Sequence, residues 1–234
     1  MADTFILKVI ARIESDFTQK FGIPRQSSLG GGQLSRVVFE PEYRDANALR
    51  GIEGYSHLWL IWGFSKVERQ GFRPTVKPPR LGGNSRMGVF ATRSPYRPNP
   101  IGLSSVRLVS VERRPGQGCV LTVEGADLMD GTPIYDIKPY LSFTDCHPEA
   151  RDGFAGEKLE KGLEVDFPRE LLSAIPADKR DALLAALSQD PRPAYQQDGE
   201  QYGLEFSGFD VRFRVSGGVL TVFDVAPAGS RKLK

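Results

Sequence analysis

Residues 103–123 read Leu103-Ser-Ser-Val-Arg-Leu-Val-Ser-Val-Glu-Arg-Arg-Pro-Gly-Gln-Gly-Cys-Val-Leu-Thr-Val123, and this stretch decides the fold class. Apolar and β-branched residues recur from Leu103 to Val111, Arg114-Pro-Gly-Gln-Gly118 supplies turn chemistry, and Cys119 to Val123 resumes the apolar run. Two strands joined by a turn are predicted, and the same pattern continues outward. Upstream, strands are expected over Phe5 to Ile13, Ser56 to Phe64 and Met87 to Ala91; downstream, Ile134 to Tyr140 is the next. Ser56 to Phe64 is rich enough in aromatic and apolar residues to be covered on both faces, and Glu42 to Arg50 is expected as one short helix. Short strands, few helices and turn-rich connections predict a mainly β protein, either a twisted antiparallel sheet or a barrel closed to remove its edges.

The composition shifts at Phe143-Thr-Asp-Cys-His-Pro-Glu-Ala-Arg-Asp-Gly153, a polar connector without apolar periodicity. A boundary there divides the chain into a barrel domain, residues 1–150, and a small α+β domain, residues 151–234. In the second part Pro168 to Leu172 and Pro176 to Leu187 are expected as helices, with Leu183, Leu184 and Leu187 on one stripe and Asp190-Pro-Arg-Pro193 as the stop. Phe209, Val211, Phe213 and Val215 alternate with Asp210, Arg212 and Arg214, the period of a half-buried strand, and Gly217-Gly218 turns it into Val219 to Val225.

The chain has 234 residues, a net charge of +2, two cysteines and two histidines. Cys119 and Cys146 form neither a C-x-x-C nor a Cys/His array, so no disulfide framework and no metal centre is expected. The most apolar run, His57 to Phe64, is too short to span a bilayer, and a cytoplasmic protein without a membrane partner is expected. Gly30-Gly31-Gly32 lacks the strand-G-x-G-x-x-G-helix context of a dinucleotide fold, and neither a phosphate-binding P-loop nor a G-x-S-x-G elbow occurs. The near-neutral total conceals a local excess: Lys66 to Arg107 carries nine basic residues against one acid, Glu68. Such a run attracts a polyanion through phosphate neutralisation, and is also what a solvated face looks like when its acids come from elsewhere.

Three segments carry candidate site chemistry. In Arg80 to Ser104 the prolines at 95, 98 and 100 fix φ and remove donors, so a rigid loop is expected to present Arg93, Ser94, Arg97 and Asn99. Arginine forks suit carboxylates and phosphates, and Asn99 both donates and accepts toward a base. The second segment, Asp127 to Tyr140, opens on the turn Asp130-Gly131-Thr132-Pro133 and continues into a strand with Tyr135, Ile137 and Pro139 opposite Asp136 and Lys138. That alternation can place Asp136 and Lys138 in one polar cavity. The third, Phe21 to Ser28, puts Pro24, Arg25 and Gln26 in an irregular stretch. A connector reading competes with each: it is the lesser one for the proline loop, the stronger one for Asp127 to Tyr140, and Phe21 to Ser28 is a weak signal taken alone.

Taken together, Pro24-Arg-Gln26, Ser56-His-Leu-Trp59, Arg73 to Gly83, Gly88 to Ser94, Arg97-Pro-Asn-Pro-Ile-Gly102 and Asp130 to Tyr140 resemble the TsaA/YaeB-like family over roughly the first 145 residues. Asp190-Pro-Arg-Pro-Ala-Tyr195 is similar to the C-terminal extension of its bacterial tRNA-methylating branch. The resemblance implies a single-sheet β-barrel that binds S-adenosylmethionine, commonly as a homodimer, and methylates N6 of N6-threonylcarbamoyladenosine at tRNA position 37. It implies a cofactor site formed by Pro24, Arg25, Gln26, Phe64, Ser65, Arg93, Leu103, Asp130, Gly131, Thr132 and Pro133. Ser65 stands where many relatives have histidine. For that methylation the residues themselves offer Asp136 as the candidate proton acceptor and Tyr135 as a wall of the base pocket; Arg97 and Asn99 of the proline loop, Lys138, the basic-stretch residues Lys77, Arg80 and Arg86, and the outward-facing Arg212 and Arg214 are the candidate tRNA contacts. The residues alone leave open a non-catalytic RNA-binding barrel and a methyltransferase for a small molecule.

Overall fold

The computed structural model describes residues 5–23, 32–66, 72–78, 85–156, 162–192 and 198–230. The hairpin expected at its centre is present: β6 (Ile101–Arg114) and β7 (Gly118–Glu124) pair antiparallel across the turn at Pro115 to Gln117. Gly116 and Gly118 take positive φ, 74° each, which is why glycine stands at both positions. The β6/β7 register shifts between Leu108 and Ser110, and the inserted residue, Val109, is left exposed.

Around this hairpin lie β1 (Ala11–Glu14), β2 (Leu34–Phe39), β3 (His57–Gly63) and β8 (Pro133–Pro139). Pairing runs β1-β2-β7-β6-β3-β8, and β8 returns to β1, closing the barrel. Its interior follows the period of two: Leu58, Leu60 and Trp62 from β3, Val37 and Phe39 from β2, Leu121 and Val123 from β7. The outer face of β3 is only half-buried, and Trp59 on it packs beside Tyr140 with ring centroids 5.4 Å apart. The indole Nε1 donates to Asp145 Oδ2 at 2.8 Å, from a four-residue helix, α1 (Ser142–Asp145). That bond and the Leu141 amide hold the Asp145 carboxyl below the usual carboxylate range, the amide contributing more. A two-stranded ribbon, β4 (Thr75–Val76) with β5 (Met87–Gly88), completes the first part.

Several expectations are corrected. The first strand does not begin at Phe5; Phe5 and Ile6 are exposed and pairing starts at Ala11, because β2 ends at Phe39 and the chain turns at Pro41, so that residues 5–9 have no β2 residue to pair with and reach that turn through the Lys8–Glu42 ion pair. Glu42 to Arg50 is not one helix but parts of two 3₁₀ turns, Pro41–Tyr43 and Ala46–Leu49, separated by Asp45, whose side chain accepts the Asn47 amide at 2.9 Å. Of the strand expected over Met87 to Ala91, only Met87 and Gly88 are extended; Val89–Ala91 is a 3₁₀ turn.

The remainder forms a second sheet in the order β10-β11-β12-β9, from β9 (Glu164–Asp166), β10 (Gln201–Phe206), β11 (Phe209–Ser216) and β12 (Val219–Pro227). Helices α2 (Arg169–Ser173) and α3 (Ala177–Ser188) accompany it, and α3 buries Ala182, Leu183, Ala186 and Leu187; Leu184, expected on the buried stripe, is only half-buried. The helix ends at Ser188, and beyond it Arg192 doubles back to bond both Asp190 oxygens at 2.8 Å and Asp198 at 3.0 Å. Those hydrogen bonds, from Asp190 first, raise the guanidinium pKa, while Asp198 is lowered by Arg192 and by the Gly217 amide.

The two hydrophobic clusters are tied together by residues 15–23, a strap leaving β1. Phe17 is fully buried, not in the barrel but in the second cluster, edge-on to Phe206 at 5.3 Å, with Phe21 and Ile23 packed against the same core. Asp16 bonds Lys179 Nζ at 2.6 Å and accepts the Ser207 amide on its carbonyl at 3.0 Å. Glu205 accepts from Thr18 at 2.9 Å and from Gln19 at 2.7 Å. Residues N-terminal to the connector therefore complete the core that follows it.

Candidate functional site

Strand direction gathers the candidate residues at one rim of the barrel. β3 runs antiparallel to β6 and β8, so its C-terminal end lies beside their N-terminal ends: Gly63 pairs with Ile101, and Trp62 with both Gly102 and Ile134. β1 is antiparallel to β8, which brings Ser15 to the Asp130 turn. On this rim stand Phe64, Ser65, Leu103, the Asp130–Pro133 turn, and the loop carrying Arg93, Ser94, Arg97 and Asn99. The loop is joined to β3 by the Phe64 amide donating to the Pro100 carbonyl at 3.0 Å. Pro24, Arg25 and Gln26 follow Ile23 of the strap and, like Arg80, lie outside the described residues.

The turn is built in two layers. Thr132 and Pro133 are buried, and Thr132 Oγ1 donates to the Met129 carbonyl at 2.6 Å, so their side chains serve architecture. Asp130 and Gly131 are exposed. Asp130 Oδ1 accepts the Ser15 amide at 3.0 Å, and the Asp130 amide donates to the Phe17 carbonyl at 2.8 Å. Gly131 has φ 75°, a conformation other residues adopt with strain. Arg12 Nη1 donates to the Gly131 carbonyl at 3.2 Å while its Nε bonds Glu40 at 2.9 Å.

The proline loop is fixed by its own short bonds. Thr92 Oγ1 donates to the Val89 carbonyl at 2.8 Å and accepts the Ser94 amide at 3.3 Å; Ser94 Oγ accepts the Tyr96 amide at 3.2 Å. Arg97 is half-buried and folds back, Nη1 to the Thr92 carbonyl at 3.3 Å, while Arg93 and Asn99 are exposed. The ribbon carries Arg86, whose Nη1 donates to Thr75 Oγ1 at 3.1 Å, and Lys77 follows β4; the Val89 amide, bonded to the Pro74 carbonyl at 2.9 Å, locks ribbon and loop together. Arg107, counted in the basic run, is ion-paired with Glu124 and contributes less to that field.

The alternation expected along β8 is corrected by a bulge. Asp136 pairs with Ile61 but Ile134 with Trp62, so Tyr135 is the inserted residue. It therefore shares the outer face with Asp136, while Ile137 turns into the core. Asp136 and Lys138 do not occupy a cavity: they form an ion pair at 3.3 Å on the outer wall, with side chains 50% and 63% exposed. Tyr135 lies across Gly63, where an added Cβ would come within 2.3 Å of its hydroxyl. On the inner face Trp62 covers Gly102 in the same way, with 2.3 Å from a Cβ to the indole.

Sequence reasoning missed a buried chain behind the rim: Trp62 Nε1 donates to Ser104 Oγ at 2.9 Å, and Ser104 Oγ donates to Asp127 Oδ1 at 2.5 Å. Gln33, also at this rim, donates through Nε2 to Ser15 Oγ at 3.2 Å, while its Oε1 is buried and has no hydrogen-bond partner among the described residues. Arg212 and Arg214 lie elsewhere, on β11. Arg212 bonds Asp210 at 3.3 Å and lines a cleft of about 430 Å³ with Gln19, Glu205 and Asp210; Arg214 is exposed. Among the described residues no cluster of His, Cys, Asp or Glu is arranged to hold a metal, and no helix is long and apolar enough to cross a membrane.

A closed six-stranded barrel with an acidic turn, an apolar strand end and an arginine loop at one rim is an antiparallel β-barrel and not a Rossmann fold. Comparison with known proteins narrows this. The tRNA-methyltransferase O N-terminal domain model matches residues 12–146, and the TrmO C-terminal domain model matches residues 160–228. The chain is 40% identical over 233 residues to the tRNA (adenine(37)-N6)-methyltransferase of Escherichia coli K12, covering 96% of this chain and 99% of that one. It is 37% identical over 233 residues to a putative S-adenosylmethionine-dependent methyltransferase, RcsF, of Pseudomonas aeruginosa, covering 95% and 98%. A crystal structure of TrmO from P. aeruginosa superposes with a TM-score of 0.79 at 33% identity, covering 97% and 99%. The chain belongs to the tRNA-methyltransferase O family.

Proposed function

We propose that this protein transfers a methyl group from S-adenosylmethionine to N6 of adenosine 37 in tRNA, that the base it takes is N6-threonylcarbamoyladenosine, and that it works as a cytoplasmic homodimer. Family membership supports the reaction. The observation that carries the site is the convergence at one rim of the Asp130–Gly131 turn, the strand end at Phe64 and Leu103, and the loop bearing Arg93.

The rim suits an amino-acid nucleoside. Leu103 is 56% exposed and Phe64 packs against Trp62 with ring centroids 4.4 Å apart; each offers apolar surface of the kind an adenine needs. Asp130 accepts from an ammonium or ribose hydroxyls, Arg93 donates to a carboxylate, and the orphaned Gln33 Oε1 is an acceptor in want of a donor. When bound, the cofactor supplies an electrophilic methyl on a sulfonium. The protein's contribution is to orient the adenosine and receive the N6 proton. Tyr135, pinned across Gly63, forms a wall for the base; Asp136, on the same outer face, takes the proton, with Lys138 beside it. Arg97 and Asn99 meet the threonyl carboxylate and the neighbouring backbone. In this reading residues 1–150 hold the cofactor, and residues 151–234 anchor the strap and contact tRNA through Arg214 and, less directly, Arg212.

The test is nucleoside mass spectrometry after incubation with methyl-labelled S-adenosylmethionine, comparing tRNA that carries threonylcarbamoyladenosine with the same tRNA lacking it. Label on the modified nucleoside alone supports the full reading. Equal label on plain adenosine overturns the substrate, and label on neither overturns the activity.

A further inference from the structure

Two large aromatic side chains are held in solvent within the basic run. Phe72 and Phe90 are 59% and 73% exposed, and their rings lie nearly parallel, 6.4 Å between centroids with 25° between planes. Their exposure is built in. Phe90 sits in the 3₁₀ turn Val89–Ala91; its neighbour Val89 is buried, with its amide on the Pro74 carbonyl at 2.9 Å and its carbonyl accepting Thr92 Oγ1 at 2.8 Å. A turn anchored on Val89 points the next residue away from the core, so Phe90 cannot fold inward without breaking those bonds. Tyr96, on the loop that follows, is also exposed. Arg73, Lys77 and Arg86 are exposed in the same stretch, which between Lys66 and Arg107 holds nine basic residues and one acid.

Flat apolar rings set among cations match the chemistry of an unpaired nucleotide, a π-face on an anionic backbone. An apolar protein partner would account for the rings and leave the charges unexplained; a phosphate duplex would account for the charges and leave the rings unexplained. We propose that Phe72 and Phe90 form a stacking platform for an unpaired base of the RNA loop that carries the target adenosine, while the surrounding lysine and arginines hold its phosphates. The inference rests on the function proposed above and names the recognition it requires: the loop is read as a splayed single strand, not as a helix.

The experiment measures binding of the full-length protein to an RNA hairpin with an unpaired loop, and to a fully paired duplex of equal length, over a range of salt. A 2-aminopurine in the loop reports stacking. Stacking on an aromatic side chain predicts that Phe90→Ala and Phe72→Ala each weaken hairpin binding about 5- to 100-fold at every salt concentration, without changing the slope of log K against log salt. Lys77→Ala and Arg86→Ala instead flatten that slope. Phe90→Trp restores affinity and quenching; Phe90→Leu, which keeps an apolar side chain and guards against a folding defect, does not. The platform is refuted if both alanine variants, with unaltered thermal midpoints, bind the hairpin like the wild type, or if leucine serves as well as tryptophan. It is also refuted if the variants change the sedimentation mass and leave RNA affinity alone, which would make the surface a contact between copies. Selective loss of hairpin binding by a protein that methylates no tRNA would keep the platform and remove the proposed function. Normal methylation with unchanged KM in both alanine variants would do the reverse.

Discussion

Replacing Phe17 by alanine tests whether the strap joins the second core to the cofactor turn. The side chain is fully buried among Phe206, Phe213 and the aliphatic residues of α3 and β10 to β12, edge-on to Phe206 at 5.3 Å. Truncating a buried phenylalanine costs about 3–5 kcal/mol through lost transfer energy and the cavity left behind. In a chain of this length that lowers the thermal midpoint by about 6–20 °C. The consequence reaches the rim because the Phe17 carbonyl accepts the Asp130 amide and the Ser15 amide binds the Asp130 carboxylate. Phe17→Ala should therefore weaken S-adenosylmethionine binding although the residue lies outside the proposed pocket. Scanning calorimetry and isothermal titration on the same preparation measure both effects. A destabilisation below about 1 kcal/mol, well under the range for a buried phenylalanine, or a full loss of stability with cofactor affinity intact, would refute the link. By the same reasoning truncation after Gly153 bares Phe17, Phe21 and Ile23 and should yield an aggregating protein, in place of a free-standing barrel.

Ser104→Ala leaves Trp62 Nε1 without its partner behind the rim and should cost about 1–3 kcal/mol in urea unfolding; no change would mean that the chain to Asp127 contributes nothing. Gly63→Ala places a Cβ within 2.3 Å of the Tyr135 hydroxyl and should lower kcat on tRNA about tenfold or more while cofactor affinity holds, because the base wall is displaced and the Asp130 turn is not. Asp198 has a folded pKa below its unfolded value, so its contribution is complete above about pH 5 and is lost as pH falls through the folded value. Thermal midpoints should drop on acidification below about pH 5, and less steeply in Arg192→Met, which removes the main cause of the shift.

The extent to which the sequence disclosed this structure follows from how local each determinant is. The β6/β7 hairpin was legible because proline and positive-φ glycines specify its turn within five residues. The Asp130–Gly131 turn was legible for the same reason. Strand β2 was not: its inward set begins with the polar Ser35 while the apolar Leu34 faces outward, 47% exposed, which breaks the alternation. β10 went unassigned although its alternation is regular, with Tyr202, Leu204 and Phe206 inward and Gly203 and Glu205 between them. The position of Tyr135 depends on a bulge, and a single inserted residue reverses the faces that strict alternation predicts. Ser104 and Asp127 meet only through the packing of β6 against the turn after β7. Phe17 lies in a segment without periodicity, and its partners are more than 150 residues away in the chain. Register and long-range packing are the parts that local pattern cannot encode.

The central claim is that the Asp130 turn and the Arg93 loop together hold S-adenosylmethionine. Isothermal titration of the cofactor into wild type, Arg93→Ala and Asp130→Ala, each shown to be folded by its thermal midpoint, tests it most directly. The account predicts one site in the wild type and loss of measurable binding in both variants. Unchanged affinity in both would contradict it and place the cofactor elsewhere on the barrel.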